Sequence, residues 1–549
     1  MTGEQTTILV LVLALLIDVA VRFAAIIIVP RNRRPSAAMA WLLAIFLIPY
    51  LGVAFFLLIG SYKLPKKRRE KQAAINSFII ETTKGIELVS DDTPWPQWLR
   101  SVVHLNRELG AMPLVGGNTA TLIGDYAGSI AAMTAAVHQA KTFVHCEFYI
   151  IALDPVTADF FSALEAAVKR GVTVRVLLDH VASVRTSTHR ETFRKLTEIG
   201  VLWHFMLPVQ PLKGNWQRPD LRNHRKLLVI DGTLGFMGSQ NLIDRSYNKR
   251  SNIRRGLKWQ DLMTRVHGPI VSGINAIFIT DWYSETNELL DRETVQIADE
   301  IIDTSPSALD CQLVPSGPGF EGENNLRLFL ALMYYAQQKV IITSPYFVPD
   351  DSMLYAITTA CQRGIEIQLF VSEIGDQAGV YHAQRSYYEE LLRSGVTIWL
   401  YQAPYILHAK HFTIDDDIAV IGSSNMDIRS FSLDFEISLM VRGATFVQEM
   451  RAVEDGYREV SRELTRLFIH LERLHRHLAV PDDRVEWRAQ FVTHIRKEPT
   501  LGLARRIRRG PGLLEQRVRF FDVDALLIGH LARLHQPPRL EVRELAEGC

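Results

Sequence analysis

Two stretches of this chain carry the same polar residues at the same spacing. The first reads Asn223-His224-Arg225-Lys226-Leu227-Leu228-Val229-Ile230-Asp231-Gly232 and then Gly238-Ser239-Gln240-Asn241. The second reads Leu407-His408-Ala409-Lys410-His411-Phe412-Thr413-Ile414-Asp415 and then Gly422-Ser423-Ser424-Asn425. Both obey H-x-K-x4-D-x6-G-S-x-N. At roughly one in twenty per fixed position, the six fixed positions coincide by chance about once in 10⁷ to 10⁸ starting points, so two matches in one chain are no accident.

Histidine and lysine two apart on a strand point to one face, and the apolar run behind them anchors that strand in a core. Imidazole and ammonium then converge on one ligand. The glycines permit close backbone approach, and Ser239, Asn241, Ser423 and Asn425 offer neutral donors, so the set suits an oxyanion such as a phosphodiester. Two lysines, Lys226 and Lys410, would offset the charge that builds on phosphorus oxygens in a transition state. Two histidines, His224 and His408, supply what a two-step displacement needs, one as nucleophile and one as proton carrier. Neither role requires a metal or a cofactor. With Asp231 and Asp415, these are the candidate catalytic residues.

The elements that must hold them repeat as well. Phe143-Val144-His145-Cys146-Glu147-Phe148-Tyr149-Ile150, Lys169-Arg170-Gly171-Val172 and Ile199-Gly200-Val201 precede the first motif. Val340-Ile341-Ile342-Thr343-Ser344-Pro345-Tyr346-Phe347, Gln362-Arg363-Gly364-Ile365 and Ser394-Gly395-Val396 precede the second in the same order. Each copy reads as strand, helix, glycine turn, strand, helix, glycine turn, strand. Alternating strands and amphipathic helices predict an α/β fold of two pseudo-symmetric lobes, with central mixed sheets flanked by helices. The boundaries expected are 113–310 for the first lobe and 311–465 for the second.

A length of 549 residues suits more than one folded unit. The net charge of +1 exerts no global pull on polyanions and supports no nucleic-acid path. Apolar character is concentrated at the start, in Ile8–Val29 and Ala38–Ile59, each long enough to cross a bilayer. Residues 1–62 therefore read as a two-helix transmembrane hairpin, with Pro49 and Gly52 tolerated inside the second helix and Asp18 and Arg22 on one helix face, placed to pair with each other or against the second helix. The flank Lys63, Lys66, Lys67, Arg68, Arg69 and Lys71 outweighs Arg31, Arg33 and Arg34 between the helices. That imbalance places the catalytic lobes in the cytoplasm, at the cell membrane. Residues 63–112 read as a basic juxtamembrane segment and linker. Cys146, Cys311, Cys361 and Cys549 lack metal or disulfide spacing and read as buried, reduced thiols.

The double motif resembles that of the phospholipase D superfamily, and within it the chain resembles the bacterial cardiolipin synthases over roughly residues 5–465. The likeness includes Arg33-Arg34-Pro35-Ser36, Leu221-Arg222-Asn223-His224, Val314-Pro315-Ser316-Gly317-Pro318, Ser344-Pro345-Tyr346-Phe347-Val348-Pro349 and Asn425-Met426-Asp427-Ile428-Arg429-Ser430-Phe431. The resemblance implies transfer of a phosphatidyl group from one phosphatidylglycerol to a histidine, then to a second phosphatidylglycerol, releasing glycerol and making cardiolipin. It implies His224 as nucleophile and His408 as the proton carrier, an assignment that could be exchanged. It also implies a carboxylate downstream of each motif behind the histidine ring, at Asp261 and Glu436, and leaves Asp231 and Asp415 mainly structural. The superfamily also contains phospholipid hydrolases, other phosphatidyltransferases and nucleases, and the apolar segments favour a lipid substrate. Beyond about Thr465 the likeness fades. Residues 466–549, with Arg505, Arg506, Arg508, Arg509, His470, His475 and His477, read as a basic appendage on anionic lipid or as an end without a catalytic part.

Overall fold

The computed structural model describes residues 3–31, 33–60, 64–83, 95–210, 217–290, 308–320 and 322–465. Cys549 and the whole of the basic tail from residue 466 lie outside them.

In chain order the strands are β1 (Leu114–Ile123), β2 (Phe143–Phe148), β3 (Thr173–Asp179), β4 (Leu202–Met206), β5 (Arg222–Asn223), β6 (Lys226–Ile230), β7 (Leu234–Gly238), β8 (Lys258–Gln260), β9 (Met263–His267) and β10 (Leu309–Ser316). They continue as β11 (Lys339–Thr343), β12 (Phe347–Val348), β13 (Glu366–Ser372), β14 (Thr397–Tyr401), β15 (Tyr405–Leu407), β16 (His411–Ile414), β17 (Ile418–Gly422), β18 (Met426–Asp427), β19 (Asp434–Arg442) and β20 (Ser461–Glu463). One continuous sheet runs β20-β14-β13-β11-β16-β17-β19-β10-β1-β9-β7-β6-β2-β3-β4.

Read outward from the β1·β10 seam, the two halves have the same order: β1-β9-β7-β6-β2-β3-β4 and β10-β19-β17-β16-β11-β13-β14. In both, the outer three strands are parallel, and the remaining neighbours along these two orders, including the seam, are antiparallel. Parallel strands need crossover helices, and the repeated amphipathic segments supply them at Ala158–Lys169 and Asp351–Gln362. The glycines after those helices, Gly171 and Gly364, sit at φ 88° and 86°, a left-handed turn that a side chain would strain. The expected pair of lobes is thus present, fused into one sheet rather than standing apart.

Helices cover both faces, so the strands are apolar on both sides. Leu228 and Ile230 of β6 pack with the first crossover helix, whereas Leu227 and Val229 join a core that also holds Ile341, Ile421 and Leu439 of the second half. This shared core is closed by helices Ile270–Thr286 and Ala444–Glu459. Helix Gln97–Gly110 precedes the first half in sequence, yet its Leu99, Val102 and Val103 pack into the core of the second.

The apolar start differs from the expected pair of spanning helices. Gly3–Ile28 is one helix, and among the described residues it is the single helix long and apolar enough to cross a membrane. Arg22 pairs with Asp18 at 2.7 Å and also donates to the Phe46 carbonyl. The second stretch is broken at Ile48, whose φ of −134° and ψ of 74° separate helices Pro35–Leu47 and Pro49–Ile59. Proline lacks an N–H and drives the residue before it out of the helical region, so Pro49 ends the helix instead of being carried within it. The two short helices fold back on each other: a Cβ on Gly52 would lie 2.8 Å from the Ala44 carbonyl oxygen. Trp41 meets Phe56 edge to face at 5.6 Å, and Arg33 donates to the Gly60 carbonyl at 3.1 and 3.2 Å, closing the open end of this hairpin.

The base of the hairpin is tied to the second half of the sheet by Arg34, which pairs with Glu323 at 2.8 Å and Asp350 at 3.0 Å. Helix Lys66–Thr82 is tied to the end of Ile270–Thr286 through Arg68–Glu285 and Lys71–Asn287. Cys146 and Cys311 are buried as expected, while Cys361 is only half-buried.

Candidate active site

The motif histidines do not stand on the central strands. β6 begins at Lys226 and β16 at His411, so His224 and His408 occupy the lead-in segments before them. Those lead-ins leave their own half and pair, in parallel, with the other: β5 with β19 and β15 with β8. The His224 N–H donates to the Phe435 carbonyl at 2.8 Å, and the His408 N–H donates to the Gln260 carbonyl at 2.7 Å. The next residues after Phe435 and Gln260 are Glu436 and Asp261.

This exchange decides which carboxylate meets which ring. His224 Nδ1 lies 3.1 and 3.2 Å from the Glu436 carboxylate oxygens and 3.0 Å from the Ser423 carbonyl. His408 Nδ1 lies 2.7 Å from Asp261 Oδ1. Each histidine is therefore backed by the carboxylate that follows the other motif, and neither half contains a complete set. With Nδ1 engaged, Nε2 is the nitrogen left for chemistry.

The motif serines were expected to bind substrate, but their hydroxyls are committed to these carboxylates. Ser239 donates to Asp261 at 2.7 Å and accepts from the Leu262 N–H at 3.0 Å. Ser423 donates to Glu436 and accepts from the Ile437 N–H at 3.0 Å. Behind them, a Cβ on Gly238 or Gly422 would lie 2.4 or 2.2 Å from the carbonyl oxygen of Leu262 or Ile437, so only glycine allows that approach. Asn241 accepts from the Ile150 N–H at 3.1 Å and donates to the Tyr247 hydroxyl at 2.9 Å, which leaves it a local strut. Asn425 Oδ1 is buried without a hydrogen-bond partner, whereas Asn241 Oδ1 is satisfied.

Asp231 and Asp415 stand at the far ends of β6 and β16, in left-handed turns with φ of 52° and 49°. Asp231 accepts from the N–H groups of Lys141, Thr142 and Phe143 at 2.8 to 3.0 Å. Asp415 accepts from those of Gln337, Gln338 and Lys339. Both fasten the turn into the repeated strand, and these hydrogen bonds reach no other motif side chain, the placement expected of the mainly structural aspartates that the resemblance implies. Hydrogen bonds to a charged acceptor contribute about 1.5–3 kcal/mol, so Asp231→Ala is expected to lower stability by about 2–3 kcal/mol in a denaturant titration. Turnover per folded molecule should stay within about two-fold of the parent. A loss of turnover at unchanged stability would return Asp231 to the chemistry.

Lys226 and Lys410 are fully buried, and their Nζ atoms donate to the His224 and His408 carbonyls at 2.5 and 2.6 Å. Burial lowers Lys226 to about 7 and Lys410 to about 8, although Glu436 and Asp261 pull them upward. Burial and then the motif lysines push both imidazoles below their ordinary value, and His224 also feels the charge of His408. The carboxylates diverge. Burial raises both, but around Asp261 the combined pull of His408, Lys410 and Ser239 wins and holds it at about 2. At Glu436 burial wins and lifts it to about 7.

Aromatic rings close the site. Tyr149 meets the edge of His224 at 4.9 Å and lies under the Lys226 ammonium at 5.4 Å, and Tyr247 and Tyr346 flank His408 at 6.3 and 6.4 Å. Motif reading passed over them, although Tyr149 and Tyr346 fall within the runs that repeat.

A centre that is incomplete in either half and complete only where two copies of one motif exchange partners is of the phospholipase D class. A family model described as cardiolipin synthase, PLD-like domain, matches residues 133–282 and 329–455, and a phospholipase D-nuclease N-terminal model matches residues 10–61. Cardiolipin synthase A of Wigglesworthia glossinidia brevipalpis is 30% identical over 442 residues, covering 79% of this chain and 87% of that protein. Cardiolipin synthase A of Pectobacterium carotovorum subsp. carotovorum is 30% identical, covering 80% and 89%. Cardiolipin synthase of Alkalihalophilus pseudofirmus is 31% identical, covering 78% and 83%. The chain belongs to the cardiolipin synthase family of phospholipase D-type phosphatidyltransferases.

Proposed function

We propose that this enzyme makes cardiolipin from two molecules of phosphatidylglycerol at the membrane surface. The observation that carries the reading is the exchanged pairing, which aims two imidazoles, each with Nδ1 held by a carboxylate, at a site flanked by two buried lysines.

His224 Nε2 attacks phosphorus of the first phosphatidylglycerol. The N–P bond forms, the P–O bond to glycerol breaks, and the departing oxygen takes the Nε2 proton of His408, which enters the step as imidazolium and leaves it as neutral imidazole. A hydroxyl of the second phosphatidylglycerol then attacks phosphorus and returns a proton to His408 Nε2 as the N–P bond breaks. Cardiolipin and one glycerol result. His408 suits the proton carrier because its carboxylate, Asp261, is anionic at neutral pH and stabilises the imidazolium. Lys226 and Lys410 bind the phosphodiester oxygens and stabilise the added charge.

The test is product analysis of the purified protein in phosphatidylglycerol vesicles without any nucleotide-activated lipid. Cardiolipin with matching glycerol release is expected. Phosphatidic acid alone would replace the reading with a hydrolase, and absence of product with any phosphatidylglycerol would overturn the donor.

The lysines set the pH response. The phosphodiester needs ammonium, and kcat/KM reports groups of the free enzyme. It should therefore fall as pH rises through about 7 to 8, where Lys226 and then Lys410 lose their protons. Bound phosphate favours the ammonium forms, so the fall in kcat should lie at higher pH. Coincident profiles would sink this role for the lysines.

A crossing by Gly3–Ile28 followed by a hairpin that returns to its own start supports catalytic lobes on the side where that helix ends. With the lobes cytoplasmic, as the basic flank favours, Gly3 faces the opposite side and Arg31 the cytoplasm. A membrane-impermeant maleimide applied to intact cells should label Gly3→Cys and spare Arg31→Cys. The reverse pattern would restore two spanning helices.

A further inference from the structure

The residue between histidine and lysine is Arg225 in the first motif and Ala409 in the second. Its side chain is not part of the exchanged pairing, yet it is 1% exposed and ranks among the largest buried side chains of the protein. Arg225 Nε donates to the backbone carbonyl of Glu436 at 3.1 Å, and its guanidinium lies 5.2 Å from the centre of the Phe435 ring. Both contacts cross the seam between the halves. They fall on the two residues that hold His224, since Phe435 accepts its N–H and Glu436 backs its ring.

The other end of the guanidinium is anchored. Arg225 Nη1 pairs with Asp281 on helix Ile270–Thr286, itself 1% exposed. Asp281 is a charged neighbour of Glu147 of β2, which is fully buried and lifted well above the carboxylate range by burial first and then by the Asp281 charge. Glu147 in turn accepts from Asn223 Nδ2 at 2.9 Å, and Asn223 Oδ1 accepts from the Arg225 N–H at 3.2 Å. The network closes on itself around His224, from the residue before it to the residue after it. A buried guanidinium is costly unless its donors are placed, and here each placed donor serves either the anchor or the partner strand. The second motif has only a methyl group at this point, so His408 stands without such a strut.

We propose that Arg225, anchored by Asp281 and Glu147, is a positioning residue that sets Glu436 against His224 across the seam and leaves the His408–Asp261 pair untouched. The inference rests on the reading of His224 and His408 as the reacting pair.

The test is a double-mutant cycle on cardiolipin formation. Arg225→Met is combined with Glu436→Asp or with Asp261→Glu, both of which keep a carboxylate while displacing it. A residue acting through Glu436 loses its effect once Glu436 is already misplaced, whereas independent sites add. Arg225→Met alone should lower kcat about 10-fold to 100-fold with KM within about three-fold, the pattern of lost transition-state stabilisation rather than lost binding. The same loss should appear in the Asp261→Glu background and shrink to less than about two-fold in the Glu436→Asp background. Equal losses in both backgrounds would overturn the proposal.

Because Arg225→Met leaves Asp281 without its cation, Arg225→Met/Asp281→Leu is the control that removes both charges. It should regain the thermal midpoint but not kcat, and recovery of kcat along with stability would reduce Arg225 to a packing residue. A parent enzyme that forms no cardiolipin from phosphatidylglycerol would instead overturn the donor assignment, a result distinct from an additive cycle.

Discussion

His224→Ala and His408→Ala are each expected to lower cardiolipin formation by at least about 10⁴-fold, because in the proposed mechanism one removes the covalent route and the other the proton carrier. The double variant should be no worse than the worse single one, as groups acting in one sequence are strongly non-additive. The two losses differ in kind. With radiolabelled phosphatidylglycerol, His224→Ala should form no protein-bound phosphatidyl group. His408→Ala should form one slowly and keep it, since the accepting hydroxyl then has no base. The opposite pattern would exchange the two roles, and substantial product from either single variant would end the two-histidine scheme. Tyr149 packs against the His224 ring and Lys226 donates to the His224 carbonyl, so thermal midpoints should accompany both measurements.

Asp261→Asn carries the second largest expected effect, about 10² to 10⁴-fold in kcat, the scale of losing a carboxylate that orients a catalytic imidazole. Asp261 is held at about 2, so at any working pH the substitution removes a full negative charge 2.7 Å from His408 Nδ1. Glu436→Gln should behave differently because Glu436 sits near 7. Below that pH the parent side chain already carries a proton, and the amide costs little. Above it, the anion is present in the parent and missing in the variant, so the penalty should grow with pH. The ratio of parent to variant kcat, followed across neutral pH, should be flat for Asp261→Asn and rising for Glu436→Gln. Two flat ratios would mean that Glu436 is ionised throughout, and with it the asymmetry between the two histidines would go.

The chemistry was legible because the motif repeats with every spacing intact, and the fold because strand, helix and glycine turn recur in one order. Pro49 marks where local reading fell short. Proline is often tolerated inside spanning helices, but here the fold-back is held by Arg33 on the Gly60 carbonyl and Trp41 on Phe56. Ser239 and Ser423 illustrate a different gap: a hydroxyl in a motif can serve substrate or neighbour, and the hydrogen bonds to Asp261 and Glu436 are visible only in space.

By itself the sequence determined the local conformations and the inventory of reacting groups, since periodicity, glycine placement and spacing act within a few residues. It also determined that the inventory is present twice. Tertiary structure decided the pairing. His224 meets Glu436 and His408 meets Asp261 because the lead-in strands β5 and β15 hydrogen-bond to the opposite half. That choice of partner depends on contacts between residues about 150 to 210 positions apart, which no local pattern encodes.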